Sequence, residues 1–177
     1  MKHAGRVGPA VGLSATVLAA ALLATGCGAP ASNAADTPKG DDRGDITQLI
    51  YKFYDNMEKN QYDKEKDVLA DGVTVKNPGG GVTTGADKVI ANASAAAKNE
   101  DRTQHVVTNV IVDVNGDKAT AQADVDQLFG SSKTPQGKLA PEPTMRLSSK
   151  MHFEATRTAN GWRVSHIEGD LLWAVQK

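Results

Sequence analysis

The chain has 177 residues, a formal net charge of −1 and a single cysteine. That length holds one domain and a tail. Near-neutral charge gives no footing for nucleic acid or for a membrane surface held by charge, and one cysteine excludes an intramolecular disulfide.

Residues 1–26 read as an export signal. Lys2, His3 and Arg6 form a positive start, and Val11 to Leu23 is an apolar run broken only by Gly12, Ser14 and Thr16. The run has 13 residues, against about 20 for a bilayer-spanning helix, so a cleaved signal is expected rather than a transmembrane anchor. The stretch Leu23-Ala24-Thr25-Gly26-Cys27 resembles the lipobox of bacterial lipoproteins, which implies acylation of Cys27 and anchoring to the outer face of the cell membrane. Several acyl chains on one cysteine give stable anchoring at ~0.8 kcal/mol per buried methylene. Removing residues 1–26 takes Lys2 and Arg6 and no acid, moving the net charge from −1 to −3.

Residues 27–44 follow as a tether. From Gly28 to Gly44 there is no aromatic and no branched aliphatic side chain, so the segment cannot bury enough apolar surface to offset its ordering entropy. The domain is expected over residues 45–177. It opens with an amphipathic helix from Asp45 to Asn60, because Ile46, Leu49, Ile50, Phe53 and Met57 recur at spacings of three and four. A short helix is predicted over Asp63 to Leu69 and a strand over Val73 to Lys76. Gly79 to Gly81 form a turn, Val82 to Thr84 pair back, and a helix spans Ala86 to Lys98.

Long strands fill the rest. Thr103 to Val114 leads through Asn115-Gly116, a hairpin signal, into Lys118 to Phe129. Gly130 to Pro143 is a loop with three prolines. Met145 to Thr158, a turn at Asn160-Gly161 and a strand from Trp162 to Ala174 complete the chain. Helices followed by long antiparallel strands predict an α+β domain with helices on one face of a bent sheet.

Three stretches carry a family likeness. They are Ile46 to Asp71 with Leu69-Ala70-Asp71, Gly85 to Ile90, and Thr103-Gln104-His105-Val106-Val107-Thr108-Asn109 continuing through Val112 to Ala119; Gly161 to Val164 fits the last strand. Together they resemble the SnoaL-like branch of the nuclear-transport-factor-2 superfamily. The resemblance implies a cone-shaped fold: a curved antiparallel sheet with helices on its concave face, enclosing an apolar pocket. Its members include polyketide cyclases, dehydratases, isomerases and pocket domains without established chemistry, so fold alone does not choose a function.

The resemblance places His105 at the start of the first long strand and a tyrosine and an acid, Tyr54 and Glu58, on the first helix. Histidine suits general acid–base work near neutrality, a tyrosine hydroxyl can polarise a carbonyl, and a desolvated carboxylate can take a proton. Simple alternation puts Val107 and Asn109 on the face of His105, and His166 on the face of Trp162. Val107, Asn109, His166, Trp162 and Phe53 are therefore expected pocket residues. The competing reading keeps His105 as a buried structural histidine, Glu58 on the surface and Tyr54 at the core edge. Gln61 and Gly72 stand where relatives commonly carry acids, which weakens the enzyme reading. Asp124, Asp126 and His152 read as outward.

No metal is expected, since HxH, HExxH and cysteine pairs are missing, and no cofactor motif is present. The function expected first is a lipid-anchored, exported pocket domain that binds a small apolar ligand or an envelope partner without catalysis. The alternatives are a SnoaL-type dehydratase, isomerase or cyclase, and a homodimeric interaction module using Trp162 or Trp173.

Overall fold

A computed structural model of the chain describes residues 41–77, 79–98, 102–130, 134–135, 137–139 and 141–176. The export signal, Cys27 and the tether up to residue 40 lie outside the described residues.

Helix α1 (Asp42–Glu58) buries Ile46, Leu49, Ile50 and Tyr54, the stripe that the apolar spacing predicts. It begins three residues ahead of the expected Asp45. Asp41 is the cap, its Oδ1 accepting the Gly44 amide at 3.0 Å, and Asp42 and Asp45 add favourable charge to the first turn. Residues 41–44 contain no apolar side chain, so periodicity gives no sign of this turn. Asp42 also fastens the helix to the sheet. Its carboxylate accepts Arg157 Nη2 at 2.6 Å and Trp162 Nε1 at 3.2 Å, and the Arg157 guanidinium lies 4.5 Å from the centre of the Trp162 ring.

A 3₁₀ helix (Tyr62–Asp67) leads into β1 (Leu69–Lys76). That strand starts earlier than the expected Val73, so Leu69 belongs to the sheet. Then come β2 (Val82–Thr84), α2 (Ala86–Ala97), β3 (Thr103–Asn115), β4 (Lys118–Phe129), β5 (Met145–Thr158) and β6 (Gly161–Gln176). The strands form one sheet in the order β2-β1-β6-β5-β4-β3. Neighbours are antiparallel except β1 and β6, which run parallel. In the β3–β4 hairpin Asn115 pairs with Lys118, so the two-residue loop is Gly116-Asp117, with Gly116 at φ 60°, a left-handed conformation glycine enters without penalty.

Extra residues bend this sheet. Register shifts fall between Thr108 and Ile111 in β3, between Glu154 and Ala155 in β5 opposite β6, and between Ser148 and Ser149. Each such bulge turns the strand and reverses its alternation. In β3 the inward positions are His105 and Val107, then Val110, Val112 and Val114, of which Val112 is buried and the others half-buried. Asn109, at φ 52°, and Ile111 are exposed. In β6 Trp162 and Val164 are buried, Ser165 is the extra residue, and Ile167 takes the inward place.

The helices cover the concave face. At one end the packing is tight: Ala119, Ala121 and Ala123 of β4 form a row of small buried side chains. Ile46, Ile50, Phe153, Trp162 and Val164 fill the space above and beside them. At the other end β4 continues with Val125, Gln127 and Phe129, and there a space remains under the C-terminal half of α1.

Candidate functional site

That space is a cavity of about 240 Å³, small beside ligand pockets of about 300–1,000 Å³. Phe53, Tyr54 and Met57 come from α1, Val89, Ile90 and Ala93 from α2, and Leu69, Val75, Met151 and Ile167 from the sheet. Asn77, Thr83 and Asn92 give its edge a polar character. Thr83 Oγ1 accepts the Asn77 amide at 3.1 Å and the Asn92 amide at 3.5 Å.

Two ionisable groups line this apolar wall. Tyr54 is 3% exposed, and its hydroxyl meets no hydrogen-bond partner; burial pushes its pKa up. Glu65, from the 3₁₀ helix, is 2% exposed, and neither carboxyl oxygen completes a hydrogen bond of good geometry. Burial pushes the Glu65 carboxyl up to about 8, with the loosely aligned Asn56 amide offsetting part of the shift. Among the described residues no lysine, arginine or histidine lines the cavity, so none of them offers a counter-charge to hold the carboxylate form.

The predicted trio comes together, but only in part at the cavity. Tyr54 and His105 rings sit 4.8 Å apart. The Glu58 carboxylate accepts the His105 backbone amide and lies 3.3 Å from His105 Nδ1. This pair ties the end of α1 to the start of β3, beside a shallow groove that also contains Tyr51, Val106 and Val107. His105 has a side chain only 2% exposed, packed between Tyr54 and Phe129, whose ring centre is 6.4 Å away. Of the trio, Tyr54 alone lines the cavity, and Phe53 does so as expected.

Four expected pocket residues lie elsewhere. Asn109 is exposed on the outer face, its amide donating to Asp124 Oδ2 at 2.7 Å. Asn109 and then Lys150 hold the Asp124 carboxyl below the usual carboxylate range. His166 also stands on the outer face, 2.7 Å from Thr74 Oγ1 and 3.6 Å from Glu168. In both cases a bulge reverses the alternation that placed them inward. Trp162 is buried, but under the start of α1 with Asp42 and Arg157 rather than in the cavity. Val107 packs against the core beside the groove. Among the described residues no group of three His, Cys, Asp or Glu side chains is placed to hold a metal.

A helix-capped, curved and unclosed sheet with a pocket beneath its first helix defines the nuclear-transport-factor-2-like class. The profile of the SnoaL-like domain matches residues 39–168, and the chain belongs to that family. In structure it is similar to the Kfla4162 protein of Kribbella flavida, with 24% identity over 76% of this chain and 93% of that one, and a TM-score of 0.68. A type 2 hexachlorocyclohexane dehydrochlorinase aligns with 19% identity over 76% of this chain and 88% of its own, TM-score 0.64. A nuclear-transport-factor-2-like protein with a cystatin-like fold from Novosphingobium aromaticivorans aligns with 21% identity over 74% and 82%, TM-score 0.61. These likenesses establish the fold. A comparison with curated protein sequences finds no match.

The buried acid makes stability depend on pH. The native state keeps the Glu65 proton up to about pH 8, whereas an unperturbed glutamate releases it near 4.5. Stability present in full below about pH 4.5 is therefore lost as pH rises through about 8. Glu65→Gln removes that loss. Thermal unfolding of both proteins across this range is expected to show the variant gaining on the wild type as pH rises; parallel curves contradict the assignment.

Proposed function

We propose that the domain is a lipid-tethered, exported binding module that takes a small, uncharged, largely apolar ligand under α1 and α2. The observation that carries this reading is the cavity itself. Phe53 and Met57 stand at its wall without filling it, and a concave, mostly apolar space with a few polar groups at its edge is the usual form of a ligand site. The type 2 dehydrochlorinase names hexachlorocyclohexane as what it acts on, a small apolar ring that agrees in character with this lining. A catalytic role for His105 and Glu58 has less support, because they engage each other beside a separate shallow groove and neither lines the cavity.

The tether follows from the lipobox-like run ending at Cys27. A homodimer is a second reading, favoured by the exposed Leu171, Leu172, Trp173 and Val175 on β6; apolar side chains grouped in this way mark interaction surfaces.

Ala93 faces the cavity from α2, so Ala93→Phe fills it. Binding of a small apolar fluorophore by the purified protein is expected to weaken at least ~10-fold, with the melting temperature held or raised. Equal affinity in both proteins contradicts a ligand site here. Cys27→Ala is expected to release the protein from the membrane fraction or leave it unprocessed, and full retention of a processed protein contradicts the anchor. For the dimer, sedimentation is expected to give twice the monomer mass and Trp173→Asp the monomer mass; a monomeric wild type contradicts it.

A further inference from the structure

An unpaired strand edge presents a row of backbone donors and acceptors, and folds usually keep such edges short, capped or bent. Two edges of this sheet are kept so. β2, at one end of the strand order, spans only Val82–Thr84. β3, at the other end, has its His105 amide capped by the Glu58 carboxylate and is bent at Asn109, φ 52°. The C-terminal half of β6 is a third edge. β1 pairs with β6 only as far as Ile167, while β5 continues beside β6 to Gln176. Among the described residues, none therefore pairs with the outer edge of residues 169–176.

Residues 169–176 are all exposed, yet their sequence is that of an interior strand. Leu171 pairs with Ser149, in one row with the buried Val125, and so lies on the concave face. Trp173 pairs with Ser148, in one row with Asp126, and so lies on the outer face; Leu172 is the extra residue between them. Leu171-Leu172-Trp173-Ala174-Val175 is thus apolar on both faces, the composition of a strand with a neighbour on each side. No lysine and no proline stands within residues 169–176 to discourage pairing. Their one charge, Asp170, lies 3.2 Å from His152.

The backbone decides what covers this edge. A lipid surface accepts leucine and tryptophan side chains but offers no partner for unpaired N–H and C=O groups. A second copy of the strand satisfies both, and a two-fold pairing of identical strands closes after two copies. Charge sets the direction. The stretch opens at Asp170 and Lys177 follows it, so antiparallel pairing sets Asp170 opposite the partner's Lys177, and the reverse, whereas parallel pairing aligns like charges. The same register sets Trp173 opposite the partner's Ala174, a large side chain against a small one.

We infer that residues 169–176 of β6 pair antiparallel with the same residues of a second copy of this chain, joining the two sheets edge to edge. This rests on the homodimer reading and specifies how the two copies meet.

Sedimentation of the purified protein over a dilution series gives the dissociation midpoint, and amide hydrogen exchange is then followed above and below it. Amides within residues 169–176 are expected to exchange at least ~10-fold more slowly in the dimer than in the monomer. Asp170→Lys, which sets lysine against lysine twice across the two-fold axis, is expected to weaken the dimer by about 10-fold. Asp170→Lys combined with Lys177→Asp restores the wild-type midpoint. A dimer whose 169–176 amides exchange at the same rate as the monomer's overturns the strand pairing and leaves the homodimer standing. A double variant no tighter than Asp170→Lys overturns the antiparallel pairing in the same way. A chain that stays monomeric at every concentration overturns pairing and homodimer together, and if that monomer sediments with phosphatidylglycerol vesicles the exposed apolar residues serve a lipid surface instead.

Discussion

The curvature of the sheet is the constraint from which everything else follows. A flat six-stranded sheet under two helices would close into an ordinary two-layer core. Here the shifts at Thr108/Ile111, Ser148/Ser149 and Glu154/Ala155 turn the long strands, so the distance between sheet and helix changes along α1. Where Ala119, Ala121 and Ala123 lie beneath it, the helix packs closely. Where the strands curve away, Phe53, Tyr54 and Met57 reach the wall of a cavity. The Asp42 carboxylate, holding Arg157 and Trp162, fixes one end of α1; the Glu58 carboxylate, holding the His105 amide, fixes the other. With both ends fastened, the helix spans the cavity instead of collapsing into it.

Much of this architecture is legible in the residues, for reasons that can be named. The 3.6-residue spacing of Ile46, Leu49, Ile50, Phe53 and Met57 sets the buried face of α1. The glycines at 116 and 161 mark where the long strands reverse. Alternation then places side chains correctly as far as the first bulge. Asn109 and His166 lie beyond one, and each bulge is a tertiary response to curvature rather than a local preference of Thr108-Asn109 or Ser165. A single extra residue moves a side chain to the other face, so these two belong to the outer ladder with Asp124, Thr74 and Glu168. Trp162 is placed on the correct face but at the packed end.

Glu65 leaves no sequence signal at all. The run Tyr62-Asp63-Lys64-Glu65-Lys66-Asp67 reads as solvated surface, and nothing in its pattern singles out the fourth residue. Only the 3₁₀ geometry and the converging walls of α1, α2 and the sheet bury it. Had a pairing cation been nearby, the same burial would describe a structural ion pair. None of the described residues lining the cavity supplies one, and the carboxyl is then a proton-holding group, an arrangement that lowers stability and persists most readily where a site uses it.

Whether the cavity wall holds that proton is the point on which the account turns. The direct measurement is the carbon-13 shift of the Glu65 side-chain carboxyl in glutamate-labelled protein, assigned with Glu65→Gln and followed across pH. The account predicts a midpoint near 8, displaced from the ordinary 4.5 by burial. A midpoint at the ordinary value would mean that water or a cation reaches the carboxylate, and burial would then not be holding the proton.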